Sequence, residues 1–222
     1  MNSIANNIKK YIENIPSSVK LVAVSKTQST DKILQAYEVG QKVFGENKVQ
    51  ELIQKHEELP KDIQWHYIGH LQTNKVKYIA PFISLIHSVD SLKLLKEINN
   101  EAIKSNRTID CLLQLYIANE ETKFGLSEQE IEDILKSEPF KNLTNIRIIG
   151  LMGMATFTEN GNQIKNEFSY LAKVFEKIKT TYFNDKNYFT ELSMGMSGDY
   201  QIAIECGSTM IRIGTDIFGN RN

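Results

Sequence analysis

The chain has 222 residues, 41% hydrophobic and 24% charged, which is enough to bury a full core and typical of a single α/β barrel domain. Its 26 basic and 27 acidic residues leave a formal net charge of −1, which argues against broad nucleic-acid or anionic-membrane binding. Residues 1–15 lack the apolar core of a signal peptide and no later stretch could span a bilayer, so we expect a cytosolic protein without a membrane partner.

Short apolar segments rich in β-branched residues recur along the chain and predict strands. In chain order they are Leu21–Ser25, a weaker candidate at Val43–Gly45, Gln64–Ile68, Ser84–His87, Ile109–Ile117, Ile146–Leu151, Phe189–Leu192 and Thr209–Ile213. Amphipathic segments lie between them and predict helices at Asp31–Val39, Lys48–Glu58, Asn74–Ala80, Leu92–Ser105, Glu128–Lys136 and Asn162–Phe183.

Capping signals support several of these helix boundaries. Ser127 and Glu130 form a capping-box pattern, Thr73 is expected to cap the helix after the third strand, and Gly207 is expected to end a short helix at Gln201–Cys206. Strict alternation of strands and helices predicts parallel strands with right-handed crossovers. About eight units favour a single (β/α)8 TIM-type barrel over residues 1–222, with an open doubly wound sheet as the alternative.

Lys26 is the first candidate functional residue. It ends the first predicted strand on the face of Val22 and Val24, so it is expected to point into the barrel mouth, where the loops that follow the strands carry chemistry. Partial desolvation there favours the neutral amine, the nucleophile that forms an imine with an aldehyde. A strand-end lysine that reaches into solvent is the structural alternative.

Two loops near the C-terminus predict a phosphate site. In Leu192–Asp199 a strand runs into a glycine-containing loop, where Ser197 is expected to cap a short helix. In Arg212–Thr215, Gly214 allows close backbone approach to a ligand and Thr215 offers a hydroxyl. If these loops follow strands seven and eight, they form the phosphate-binding corner of a barrel, although each loop alone is also consistent with an ordinary turn.

Arg212 alternates with Ile211 and Ile213 in the last predicted strand, so it points either into the barrel or outward between helices. An inward arginine needs an acceptor. A pyridine nitrogen would serve, and a permanently charged donor would keep that nitrogen unprotonated and the ring a weak electron sink. An ion pair with an acidic neighbour is the alternative.

Polar residues also follow the second predicted strand and occupy the third. Asn47 lies just after the second strand, where it could reach a ligand at the same mouth. His66 and Tyr67 lie within the third strand, and packing in the core is the simpler expectation for both.

No metal site is expected. Cys111 and Cys206 lie far apart without a CxxC or other ligand-type spacing, so they are expected to be buried small hydrophobic residues. The four histidines show no zinc pattern either.

Seven ordered segments carry a family resemblance: Val22–Lys26, Phe44–Asn47, Trp65–Lys75, His87–Asp90, Gly150–Met154, Leu192–Asp199 and Gly207–Gly214. In these segments the chain resembles the YggS/PROSC family of pyridoxal 5′-phosphate (PLP) homeostasis proteins. The resemblance implies a fold like the N-terminal barrel of alanine racemase, with PLP as the cofactor, held as a Schiff base on Lys26.

The resemblance also implies roles for the other candidate residues. It places Ser197, Gly214 and Thr215 at the phosphate of the cofactor and Arg212 at its pyridine nitrogen. Asn47 is implied near the ring or the lysine. No catalytic residue is assigned.

Alanine racemase resembles this barrel but adds a β domain. A tyrosine from the β domain of the partner subunit is its second acid/base. This chain ends at Asn222, directly after the last predicted barrel unit, so we expect no second catalyst. The resemblance therefore implies a non-catalytic carrier or regulator of PLP supply. Apo PLP-dependent enzymes are candidate recipients, and a monomer is expected.

Two enzymatic alternatives remain open. One is a PLP-dependent amino-acid racemase that uses Lys26 as one base and a rim group such as Tyr67 as the other. The second is an aldolase-type barrel in which Lys26 forms an imine with a phosphorylated sugar. Turnover of amino acids would favour the first alternative, and a trapped sugar adduct the second.

Overall fold

A computed structural model of the protein describes residues 3–118 and 124–219. Within this part of the chain, eight short strands form the central sheet. They are β1 (Lys20–Val24), β2 (Val43–Glu46), β3 (Gln64–Tyr67), β4 (Leu85–Val89), β5 (Ile109–Gln114), β6 (Ile146–Met152), β7 (Glu191–Ser193) and β8 (Met210–Ile213).

Helices surround the sheet and, for most of the chain, alternate with the strands. They are α1 (Ile4–Asn14), α2 (Thr30–Glu38), α3 (Val49–Glu58), α4 (Val76–Ile79), α5 (Leu92–Lys104), α6 (Glu128–Lys136), α7 (Glu138–Lys141), α8 (Gly161–Tyr182), α9 (Tyr200–Glu205) and α10 (Thr215–Phe218). A turn of 3-10 helix at Thr73–Lys75 precedes α4.

The strands pair in parallel in the order β1 to β8, and β8 pairs with β1 to close the barrel. In the closing register Val22 lies opposite Arg212 and Ala23 opposite Ile213. The predicted eight-stranded barrel is therefore confirmed, and the open-sheet alternative is wrong. Closure brings the carboxyl ends of all the strands to one rim, where the predicted site residues follow β1, β2, β7 and β8.

The core has two layers because neighbouring strand residues point to opposite faces of the sheet. Leu85, Leu112, Met152 and Met210 pack with Val22 in a small buried cluster inside the barrel. A larger cluster fills the space between the sheet and the helices and includes Phe44, Trp65, Phe168 and Phe189. Side chains at the inner positions of the strands thus fill the barrel interior, whereas side chains at the outer positions pack against the helices.

Helix boundaries follow the sequence signals in part. The Ser127 to Glu130 capping box is present, and Gly207 ends α9 with a φ of 94°. Thr73 begins a 3-10 turn without a side-chain cap, so the prediction for this residue is wrong. The sequence prediction also omitted α1, although Ile4 and Ile8 mark its buried face at helical spacing.

No helix in the described residues is long and apolar enough to cross a membrane. The prediction of one domain over residues 1–222 stays a prediction, because residues 1–2, 119–123 and 220–222 lie outside the described part of the chain.

Gly150 on β6 lies directly against the backbone of β7, so a substitution there tests how closely the two strands must pack. A Cβ there would lie 1.7 Å from the carbonyl oxygen of Glu191 on β7, so Gly150→Ala must separate the two strands. We expect the free energy of unfolding to fall by about 3 kcal/mol, measured by urea denaturation. Gly161→Ala is the matched control, because its nearest neighbour is Ile202 at 3.7 Å, and we expect a change below about 1 kcal/mol. Equal effects of the two substitutions would contradict this account.

Candidate functional site

Lys26 lies in a turn just beyond β1. The N–H of Gln28 donates to the carbonyl of Ser25 at 3.0 Å and closes the turn, which makes Lys26 its second residue. The Lys26 side chain is half-buried and, together with Val24, lines a cavity of about 470 Å³ at the rim of the barrel. Lys26 therefore lies at the barrel mouth as predicted, but it does not end the strand, because β1 ends at Val24.

The same cavity is lined by the predicted site residues, which lie at or just after the ends of four different strands. Its lining includes all six of them: Lys26, Asn47, Ser197, Arg212, Gly214 and Thr215. The structure thus brings together an amine, an amide, a guanidinium and two hydroxyls. Such a volume is ordinary for a small-molecule or cofactor site.

Arg212 points into the barrel and is buried, with 4% of its surface exposed. Its guanidinium donates to Ser193 Oγ at 2.5 Å and to the carbonyl of Gly153 at 3.1 Å. Burial lowers the pKa of Arg212 to about 10, so the side chain stays charged at neutral pH. These two acceptors are neutral, and the described residues form no salt bridge to Arg212, which leaves room for a further acceptor inside the cavity.

A chain of polar side chains continues from Arg212 across the barrel interior. Ser193 Oγ lies 3.0 Å from His87 Nδ1, and His87 Nε2 lies 2.9 Å from His66 Nδ1. Because arginine only donates, Ser193 Oγ accepts from Arg212 and can donate its own O–H to His87 Nδ1. The expected core role of His66 is confirmed, but His66 also belongs to a hydrogen-bonded network that reaches the candidate site.

Burial keeps both imidazoles of this network neutral. It lowers the pKa of His66 to about 3, with a smaller contribution from the charge of Lys20. Burial also holds the pKa of His87 well below its usual value, with help from His66 and the charge of Arg212. Neutral imidazoles add no further positive charge near Arg212, and the carboxylate of Asp199 raises the pKa of Arg212 against the effect of burial.

Asn47, Tyr67 and Gly69 form one side of the rim. The phenol of Tyr67 lies 3.1 Å from the Asn47 carbonyl and 3.3 Å from the His70 carbonyl. Burial raises the pKa of Tyr67 to about 12, so it stays protonated at neutral pH. A Cβ on Gly69 would lie 2.5 Å from the Asn47 carbonyl oxygen, so only glycine allows this approach.

The two predicted phosphate loops both line the cavity, but the helix start in the first differs from the prediction. Asp199, not Ser197, is the N-cap residue of α9, and its Oδ1 accepts from the N–H of Met196 at 2.5 Å. The Ser197 hydroxyl is therefore not committed to capping this helix. Directly after β8, Gly214 packs closely on β1, since a Cβ would lie 3.3 Å from the Val24 carbonyl oxygen.

The partners that hold Arg212 were not predicted from the sequence. Ser193, His87 and His66 occupy inward positions of β7, β4 and β3, where an apolar residue would be the default. Polar residues recurring at inward strand positions were a usable signal. Their mutual contacts, however, depend on barrel register.

A larger cavity of about 760 Å³ lies outside the barrel beside α1 and α9. Tyr11 and Tyr200 line it, and the Tyr11 phenol donates to Asp216 at 2.5 Å. None of the six predicted residues faces it, so cavity volume alone does not locate the candidate site. Among the described residues no group of three or more His, Cys, Asp or Glu side chains could hold a metal ion.

Comparison with known proteins places the chain in a defined family. The family described as "Alanine racemase, N-terminal domain" matches residues 1–222. The pyridoxal phosphate homeostasis protein of Aquifex aeolicus is 39% identical over 203 residues, covering 91% of this chain and 87% of the relative. The human protein of the same name is 38% identical over 213 residues, covering 91% and 77%.

A solved structure agrees with these sequence relatives. PipY of Synechococcus elongatus PCC7942, determined with PLP bound, superposes with a TM-score of 0.88 at 33% identity. The match covers 98% of this chain and 100% of PipY. Family membership predicted from seven short segments is thereby confirmed.

The buried histidines make a prediction about acid stability. Below their ordinary pKa of 6.5 the unfolded chain protonates both imidazoles while the folded chain does not, so stability falls as pH falls. Near pH 5 each histidine should contribute about 1.4 kcal/mol per pH unit to this slope. His66→Gln should remove its share, as measured by urea denaturation across a pH series.

Ser193→Ala is the control for that measurement. It breaks the same network without removing a titrating group, so it should lower the free energy of unfolding at every pH and leave the slope intact. An unchanged slope in His66→Gln would show that His66 does not titrate between the folded and unfolded states.

Proposed function

From the premise that this chain belongs to the alanine racemase N-terminal domain family, we propose that it is a PLP-binding protein of PLP homeostasis. It holds PLP as a Schiff base on Lys26 and buffers or delivers the cofactor without dedicated catalysis. The observation that carries the proposal is the meeting of Lys26 and a buried, charged Arg212 in one cavity. Homologues named for PLP homeostasis and a PLP-bound relative support the choice of ligand.

The residues of the cavity fit the chemical groups of PLP. Lys26 supplies the amine for the aldehyde, and the hydroxyls of Ser197 and Thr215 with the backbone at Gly214 supply donors for the phosphate. Arg212 supplies a donor for the pyridine nitrogen, and Asn47 lies on the rim near the ring or lysine. When bound, PLP supplies a reactive aldehyde and a ring that can accept electrons.

Arg212 and Tyr67 favour storage over catalysis. A guanidinium at the pyridine nitrogen keeps that nitrogen unprotonated, which weakens the ring as an electron sink. Tyr67 was the rim candidate for a second base in a racemase, but its buried phenol donates to backbone carbonyls and its pKa is raised to about 12. Sustained turnover of an amino acid by the pure protein, abolished by Lys26→Ala, would overturn the non-catalytic part of the proposal.

The proposal also covers the recipients of the cofactor and the oligomeric state of the carrier. Apo PLP-dependent enzymes are the recipients, and the carrier acts as a cytosolic monomer. Transfer is tested by mixing the PLP-loaded protein with an apo enzyme in the presence of a scavenger of free PLP. Recovery of enzyme activity despite the scavenger indicates direct delivery, and its loss indicates release into solution. Light scattering of the purified protein tests the monomer.

Lys26→Ala separates the covalent link from the phosphate site. We expect loss of the yellow imine absorption band and of any phosphopyridoxyl mass after borohydride reduction. PLP should still bind non-covalently, roughly tenfold or more weakly, which is at least about 1.4 kcal/mol. Absorption spectra, peptide mass spectrometry and equilibrium dialysis measure these changes.

Lys48→Ala is the control, because Lys48 is an exposed lysine at the start of α3. It should keep the band and the modified Lys26 peptide. No imine band in the wild-type protein after addition of PLP would overturn the proposal. A trapped sugar adduct on Lys26 would then favour the aldolase-type alternative.

A further inference from the structure

The turn that carries Lys26 contains a strained residue. Thr27, directly after Lys26, has a φ of 66°, in the left-handed region that β-branched residues rarely occupy. Such a conformation persists only where the surroundings hold it, and it is typical of functional sites. Contacts that hold Thr27 therefore also hold Lys26.

A buried ion cluster lies against this turn on the helix side of the barrel. Lys55 of α3, with a 5% exposed side chain, donates to Glu46 Oε1 at 2.7 Å and to Glu51 Oε1 at 2.6 Å. Glu46 is fully buried and also accepts from Ser25 Oγ at 2.6 Å. Two carboxylate side chains thus contact one buried ammonium; Glu46 is fully buried, whereas the Glu51 side chain is 22% exposed.

The cluster contacts both peptide groups that flank Lys26. Before it, the carbonyl of Ser25 accepts from Lys55 Nζ at 2.8 Å. After it, the N–H of Thr27 donates to Glu51 Oε1 at 2.6 Å. We propose that Glu51 and Lys55 are positioning residues that fix the Lys26 turn so that its amine is aimed at the cofactor aldehyde. This inference rests on the proposed function of Lys26 as the Schiff-base lysine.

The geometry assigns the cluster this role because a helix-anchoring ion pair would not need to bond the backbone on each side of one lysine. The same oxygen of Glu51 accepts from Thr27 and from Lys55, so the strained N–H and the buried ammonium are tied to one atom. Holding an amine in one orientation raises the equilibrium for a bond that it forms within the site. The positioning residues act through the backbone and do not touch the cofactor.

The test compares two ligands on the Glu51→Ala variant. PLP can form the imine with Lys26, whereas pyridoxamine 5′-phosphate carries an amine in place of the aldehyde and binds only non-covalently. We expect Glu51→Ala to weaken PLP binding roughly five- to tenfold through loss of orientation, and to leave pyridoxamine 5′-phosphate binding unchanged. Equilibrium dialysis gives both affinities, and the imine absorption band gives the covalent fraction.

Three further variants sharpen the comparison. Glu57→Ala removes an exposed carboxylate from the same helix, away from the turn, and should change neither affinity. Glu51→Gln keeps an acceptor for Thr27 and should recover most of the PLP affinity, which also covers the case in which Glu51→Ala folds poorly. In a Lys26→Ala background, Glu51→Ala should have no effect on PLP affinity.

The outcomes separate this proposal from the proposed function. If the wild-type protein forms no imine with PLP, the assignment of Lys26 fails and the positioning role falls with it. If the wild type forms the imine but Glu51→Ala leaves PLP affinity intact, or weakens both ligands equally, Lys26 remains the cofactor lysine and only the positioning role is overturned.

Discussion

The pairing of β8 with β1 is the constraint on which the candidate site depends. It sets Val22 opposite Arg212, so that two residues far apart in sequence share one level of the barrel interior. Lys26 follows β1 and Gly214 follows β8 on adjacent strand ends, and both line the same cavity. In an open doubly wound sheet the first and last strands do not pair, so an amine after β1 and a guanidinium on β8 would not face one ligand.

Buried charge is handled in two different ways on the two faces of the sheet. Lys55, on the outer face, is surrounded by the carboxylates of Glu46 and Glu51 and by a backbone carbonyl. Arg212, on the inner face, has the neutral acceptors Ser193 and Gly153. A desolvated charge is costly unless its surroundings compensate it. The outer cation is compensated by its own fold, whereas the inner cation can gain an acceptor from a ligand.

Local sequence patterns predicted most of the fold, because the spacing of buried residues in each strand and helix of a barrel is visible in its own segment. The six candidate residues were found because they follow strands in segments that resemble a known family, and they do meet in one cavity. The partners of Arg212 and of the Lys26 turn were not found. In the sequence Lys55 looks like an ordinary helix lysine, and its ion pair becomes predictable only once Glu46 is known to point outward. The contact of His87 with Ser193 can be predicted only from the register of the barrel strands.

The turn around Lys26 is held by contacts that lie outside the cavity. Because Ser25 and Thr27 are tied to side chains of α3 and β2 rather than to the contents of the cavity, the backbone at Lys26 need not rearrange when the cavity fills or empties. For the cofactor carrier proposed above, loading and release would then change the side chain of Lys26 and not the backbone around it.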